Sequence, residues 1–251
     1  MEFEKHRKEF EEHKKDFISQ EFKGAIPTDL EQCVQLAVSK AYRDMTPRTI
    51  KGHTETIKKE SCDYLQKWFK EYLEKNPLQK EEDFDEMYYS LCGYFLDNFN
   101  EALRNKHLTP QKFGKAQKII NMTFKYLYCL LPKKKDWFTY CHMPLDTYTL
   151  NWYYRQSKNK PGRETWSNLE EGCYDEISKE IRALIAGGEY AGLSPLEAEF
   201  IIWDEEKNKV MLKELRSVLK KCLKNPLFKT YKKKLQELEN LLNIEMKNQE
   251  I

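Results

Sequence analysis

Glycine and proline are scarce, nine of each in 251 residues, and charge of either sign is nearly cancelled by the other, 43 Lys and Arg against 41 Asp and Glu. The scarcity excludes collagen, low-complexity linkers and most all-β sandwiches, which need turn residues at short intervals. No long apolar run occurs and the start, Met1-Glu2-Phe3-Glu4-Lys5-His6-Arg7, is charged. This argues against a transmembrane helix, a secretory leader or a transit peptide, and predicts a soluble, cytoplasmic protein. The seven cysteines, at 33, 62, 92, 129, 141, 173 and 222, contain no Cys-x-x-Cys pair, so neither a zinc knuckle nor a redox dithiol is written here. Such a scattered set reads as reduced core thiols. P-loop, nucleophile-elbow and His-Glu-x-x-His patterns are also missing, which disfavours a P-loop NTPase, an α/β hydrolase and a zincin. No metal and no cofactor is expected.

What is present is helical periodicity. Apolar residues make up 40 % of the chain and aromatics 13 %, enough to build a core for a chain of this length. Phe3, Phe10 and Phe17 stand at heptad spacing among Glu and Lys, which predicts a charged helix over 2–17 with one narrow apolar stripe. Asp29 caps a second helix that ends near Pro47; a third runs from about Thr54 to Lys75 and a fourth from about Lys80 to Arg104. Pro110 opens a fifth helix through Leu131, apolar enough to lie at the centre. Asp146 sits in the first turn of a sixth, Ser167 starts a seventh by a capping box and Ser194 an eighth through Trp203; two more follow from Lys207, divided at Asn225-Pro226. The polar segment 156–165, with Pro161-Gly162, reads as an exposed loop. No period-2 strand or internal repeat occurs.

The expected fold is therefore all-α, a compact multi-helix core over 25–206 with appended terminal helices: a charged arm over 1–24 and basic helices over 207–251. A division into two lobes near 105–115 stays open. Between Lys213 and Lys234 nine basic residues meet one acidic residue, with Phe228 and Tyr231 interleaved. Lys213, Arg216, Lys220 and Lys224 fall three and four apart and share a helix face with Lys221 beside it. Lys133, Lys134 and Lys135 next to Trp137 and Phe138 make a second patch. Both suit phosphate contacts, and both also suit a solvated surface.

A more specific constellation lies between residues 112 and 155. Lys112-Phe113-Gly114-Lys115-Ala116-Gln117-Lys118 leads into the apolar helix, and His142-Met143-Pro144-Leu145-Asp146 then opens the next one. This resembles the helix-hairpin-helix DNA glycosylase superfamily over about forty residues. The resemblance implies a Gly-containing hairpin before the apolar helix, a catalytic lysine at Lys115 or Lys118, and Asp146 presented at a helix start. A carboxylate there stabilises the positive charge that develops on a sugar as its N-glycosidic bond breaks, and a lysine of lowered pKa attacks the same carbon. Trp137, Phe138, Tyr140 and Trp152 would offer stacking faces to an extruded base.

Other readings remain beside it. Arg48 and His53 have a spacing found in certain all-α ribonucleases, and His142 beside Cys141 invites a metal proposal that no second ligand pair supports. Asp146 also reads as a plain helix cap, with Lys115 and Lys118 solvated. The partners to be weighed are DNA or a nucleoside-containing ligand, or a protein partner met through the N-terminal arm, as in a non-catalytic interaction protein of bacterial or phage conflict. If the C-terminal lysines track a duplex, binding weakens with salt at a log–log slope of about −0.9 per phosphate neutralised, and replacing Lys220, Lys221 and Lys224 by Glu weakens it for every sequence alike in a gel shift. No shift at low salt leaves the patch a solvated face.

Overall fold

The computed structural model describes residues 2–23, 26–45, 55–99, 113–158 and 164–248, and among them every regular element is a helix. The α-helices are α1 Glu2–Phe22, α2 Leu30–Met45, α3 Glu55–Glu74, α4 Glu81–Phe99, α5 Phe113–Leu130, α6 Thr147–Gln156, α7 Glu171–Gly187, α8 Pro195–Lys224 and α9 Lys232–Asn248. Short 3₁₀ turns occupy Pro132–Phe138, Trp166–Asn168 and Pro226–Tyr231. The chain forms two compact units, Met1–Ile201 and Ile202–Ile251. No described helix is long and apolar enough to cross a membrane.

In the first unit every residue of α5 is buried. Its apolar residues, denser toward the C-terminal end, place it centrally, and the polar residues among them are buried with it. Helices α2, α4 and α7 pack against it, and α3 packs on α2 and α4. The stripe of α1 faces the same core: the Phe10 and Phe17 rings meet Phe200 at 5.8 and 5.3 Å, and Phe17 stacks on Tyr126 at 5.7 Å. Arg7 adds polar bonds, donating to Glu197 Oε1 at 2.7 Å and to the Gly192 carbonyl at 2.9 Å. The helix read as an arm thus belongs to the first unit.

The cap signals translate unevenly. Asp29 accepts from the Gln32 N–H at 3.0 Å, and Ser194 and Glu197 bond each other's backbone N–H at 3.2 and 3.0 Å, a reciprocal box at the start of α8. Two expectations are corrected. Helix α8 does not stop at Trp203 but runs to Lys224, since Asp204-Glu205-Glu206 holds charge and no helix breaker. Ser167 does not cap α7 either: residues 166–168 make a 3₁₀ turn, and α7 begins at Glu171, with Glu170 at the N-cap position. The turn is held by α5, where the Gly114 N–H donates to the Leu169 carbonyl at 3.0 Å. Arg48, His53, residues 100–112 and residues 159–163 of the expected loop lie outside the described residues.

In the second unit Leu219 of α8 meets Leu242 and Met246 of α9, with Leu212 and Leu235 packed against them. Asn225 Oδ1 accepts from the Leu227 N–H at 3.0 Å and Pro226 follows it, so the expected break between the two helices is present. Lys220, Lys221 and Lys224 are exposed.

The contact at Gly114 sets a test. A Cβ there would lie 1.8 Å from the Trp166 carbonyl oxygen, whereas one at Gly93 of α4 meets nothing within 4 Å. Gly114→Ala should lower the free energy of urea unfolding by about 1–3 kcal/mol, even though alanine gains about 1 kcal/mol in helix propensity. Gly93→Ala should raise it by about 0.5–1 kcal/mol. Equal effects at the two positions would show that the α5 contact is loose.

Candidate functional site

A fully buried helix has to satisfy its polar side chains inside the protein, and α5 carries several. Thr123 Oγ1 donates to the Ile119 carbonyl one turn back at 2.8 Å. Gln117 reaches across to the segment before α6: its Nε2 donates to the Leu145 carbonyl at 2.8 Å, and its Oε1 accepts from the Leu145 N–H at 3.2 Å. One amide side chain therefore pairs with both backbone groups of the residue that precedes Asp146. This clamp fixes the start of α6 against α5.

Asp146 is the N-cap of α6. Its Oδ1 accepts from the N–H groups of Tyr148 at 2.8 Å and Thr149 at 3.1 Å, while Thr149 Oγ1 accepts from the Asp146 N–H at 2.8 Å. The other oxygen, Oδ2, accepts from Lys118 Nζ at 2.9 Å, across 28 residues of sequence. Cap and ion pair thus use different oxygens of one carboxylate. The pair is partly open, with side chains 10 % and 15 % exposed, so it is neither a surface ion pair nor a sealed one. Lys115 lies one turn earlier on α5, and burial lowers its pKa. Of the two lysines singled out in the sequence, the structure brings Lys118 to Asp146.

Behind the clamp runs a second polar chain that the sequence did not announce. Asn121 Nδ2 donates to Gln117 Oε1 at 3.1 Å and to the Tyr174 hydroxyl at 2.9 Å. The Tyr88 hydroxyl lies 3.0 Å from that of Tyr174, and His142 Nδ1 lies 2.9 Å from it. His142 Nε2 stands 2.7 Å from Asp85 Oδ1, and Arg182 grips the same carboxylate with both guanidinium nitrogens at 2.7 and 2.6 Å. Since a carboxylate only accepts, Nε2–H donates to Asp85 and Nδ1 accepts from Tyr174. Burial opposes the Asp85 charge, but the bonds from Arg182 and His142 outweigh it and hold the carboxyl well below its usual range. Burial lowers the His142 pKa and keeps the ring neutral. Both of its nitrogens are engaged, and among the described residues no group of His, Cys, Asp and Glu could hold a metal ion.

The other sequence candidates have separate places. Lys134 donates to the Leu73 carbonyl at 2.8 Å with its ammonium over the Trp137 ring at 4.0 Å, and Trp137 Nε1 donates to the Lys75 carbonyl at 3.1 Å. Tyr140 donates to the Gln79 carbonyl at 2.8 Å. These residues close the end of α3 and its following turn, satisfying carbonyls that a helix terminus leaves open. Lys133 is exposed, Phe138 and Trp152 are buried.

Comparison of the chain with protein-family models, with curated proteins and with solved structures gives no match.

The neutral state of His142 has a measurable consequence. Its folded pKa lies below the unfolded value of about 6.5, so the unfolded chain binds a proton that the folded one refuses; stability is full above that pH and is lost as the pH falls through it. Asp85 adds a second loss below about pH 4, where the unfolded carboxyl protonates first. The free energy of urea unfolding should hold steady from pH 8 to 7 and then decline, by at most about 1.4 kcal/mol per pH unit for each proton bound. His142→Gln should lower stability at pH 8 but flatten the slope between pH 6.5 and 5. An unchanged slope would mean that His142 is protonated in the folded state.

Proposed function

We propose that the first unit acts on the N-glycosidic bond of a nucleic acid or of a nucleoside-containing ligand, in the manner of the helix-hairpin-helix glycosylases that residues 112–155 resemble. The observation that carries this reading is the contact of Lys118 Nζ with Asp146 Oδ2 at 2.9 Å. Amine and carboxylate come from different helices and are partly open to solvent, and the buried amide of Gln117 sets their spacing. That is a preorganised pair of the kind such chemistry needs.

As the bond between base and sugar lengthens, positive charge grows on the ring, and the Asp146 carboxylate stabilises it. Lys118 Nζ donates to that carboxylate at 2.9 Å. The Lys118 ammonium passes its proton to Asp146 and the freed amine forms a bond to the anomeric carbon as the glycosidic bond breaks. The base departs with that electron pair and takes the proton from Asp146, which is again a carboxylate. Opening of the sugar ring, with a proton moving from the new ammonium to the ring oxygen, leaves the imine that borohydride reduces. Lys115, whose burial favours the neutral amine, is the alternative nucleophile.

A second reading draws on a different observation: both Asp146 oxygens are already engaged, one in the cap and one in the ion pair. A non-catalytic interaction protein would use the residue in that way alone. The two readings separate in Asp146→Asn, because asparagine is as good an N-cap as aspartate and keeps α6 in place. Under the glycosylase reading this variant releases base at least about 100-fold more slowly, with unfolding free energy changed by only about 1–3 kcal/mol. Borohydride should also trap a covalent adduct that Lys118→Gln abolishes, or Lys115→Gln if that amine attacks. A panel of single-stranded, duplex and mononucleoside substrates from which neither wild type nor variant releases base would favour the interaction protein.

A further inference from the structure

The second unit consists of most of α8, the turn Pro226–Tyr231 and α9, and its core is small: Leu219, Leu242 and Met246 are buried, with Leu212 and Leu235 packed against them. Two helices seldom close a sufficient core alone, and small units commonly complete one by oligomerisation. The same helices carry a second set of apolar side chains that stays exposed. On α8, Met211, Leu215 and Val218 are 49 to 55 % exposed, and the half-buried Cys222 continues their line. The four stand alternately four and three residues apart, the spacing with which one helix meets another in a coiled coil. On α9, Leu238, Leu241 and Ile244 are 51 to 63 % exposed. A contiguous exposed apolar face of this kind marks an interaction surface.

Both stripes lie on one side of the unit. Leu219 meets Leu242 and Met246 across the Pro226–Tyr231 turn, so the chain reverses there and the two helices run antiparallel. Met211 and Val218 each stand one residue before the seam residues Leu212 and Leu219, and Leu241 stands one before Leu242. One residue is a rotation of about 100° around the helix axis, and the same rotation around two antiparallel axes leads from their common seam to the same side. Charge is graded along the length of the unit. Between Leu215 and Gln236, which span the turn and the helix ends beside it, eight basic residues meet no acidic one. The remainder, 202–214 and 237–248, holds seven acidic residues against four basic. The turn end is thus positive and the far end negative.

We propose that this face binds the same face of a second copy of the chain, with the two units head to tail and their turns at opposite ends. Turns side by side would set one basic end against the other, whereas the reversed order sets each basic end against an acidic one. A twofold axis that reverses the units also lays α8 against α8. The stripe then pairs Leu215 with Val218 of the second copy and Met211 with its Cys222. In that register Glu214 comes beside Lys221 of the second copy, and both side chains are exposed in the single chain. Because the contact is self-complementary, this pair of opposite charges forms twice. The proposal is independent of the glycosylase reading, and its test reads mass and not base release.

Sedimentation velocity of the full chain over a concentration series is the test. The wild type should dimerise with a dissociation constant in the micromolar range, and Leu215→Glu/Leu241→Glu should weaken dimerisation at least about 10-fold. Neither leucine belongs to the buried core of the unit, and circular dichroism of the dilute monomers identifies any loss that comes from unfolding. Glu214→Lys and Lys221→Glu should each weaken dimerisation by about 3-fold or more at low salt, and the two reversals together should restore it. A wild-type chain that stays monomeric up to about 100 µM overturns the proposal and leaves the face to a partner of another kind. A dimer that Leu215→Glu/Leu241→Glu leaves intact is held elsewhere and overturns it as well. Single reversals without effect, or a loss that the double reversal does not rescue, overturn the head-to-tail register.

Discussion

Helix α5 is buried along its whole length and yet carries Lys115, Gln117, Lys118, Asn121, Thr123 and Lys125, and the first unit is arranged around that conflict. A buried amide or ammonium without a partner costs several kcal/mol, so the elements packed on α5 are also the source of its partners. Gln117 takes the backbone of Leu145, Lys118 takes Asp146, Asn121 takes Tyr174 and Lys125 takes Glu199. Each bond ties α5 to a different later segment: the loop before α6, the cap of α6, α7 and the start of α8. The register of those segments is consequently fixed by hydrogen-bond chemistry as well as by apolar packing.

The aromatic residues complete this scheme in a way specific to lysine. The Lys125 ammonium lies against the Glu199 carboxylate and between the Phe17 and Phe200 rings, at 4.3 and 4.4 Å from their centroids. Lys14 of α1 sits 3.8 Å over the Tyr128 ring. Ring faces attract cations, and the attraction grows when water is excluded. Burial raises the Glu199 pKa and lowers that of Lys14, the expected response of charges taken out of water. The charged character of α1 is therefore compatible with a buried face: the Lys14 stem and the phenylalanines pack inward, and the ammonium meets the Phe10 and Tyr128 rings at the end of its reach.

The pair formed by Lys118 and Asp146 is more open than the Lys125–Glu199 pair on the same helix, with side chains 10 % and 15 % exposed against 3 % and 1 %. Its neighbours explain how it can be. The cap bonds from Tyr148 and Thr149 and the Gln117 clamp hold Asp146 from one side, so the ion pair does not have to be sealed to keep its geometry.

Much of this was legible in the chain. Apolar periodicity and cap residues marked most of the helices, the increasingly apolar character of 116–131 marked the central one, and Pro144-Leu145-Asp146 marked a carboxylate at a helix start. Those features are local, decided within one or two turns by steric preference and the helix dipole. Helix α8 continues past Trp203 because nothing in Asp204-Glu205-Glu206 stops a helix, which an apolar pattern ending at Trp203 does not show. The Asp85–His142–Tyr174–Asn121 chain, the choice of Lys118 over Lys115, and the roles of Lys134 and Trp137 as closures of α3 could not be read at all. Each depends on side chains 28 to 86 residues apart or on which face of a helix a neighbour covers. Sequence alone determined where the helices are and which must be central, since that follows from hydrophobicity and local geometry; only the tertiary structure decided which polar groups meet, because a buried polar group takes the partner that packing brings within hydrogen-bond distance.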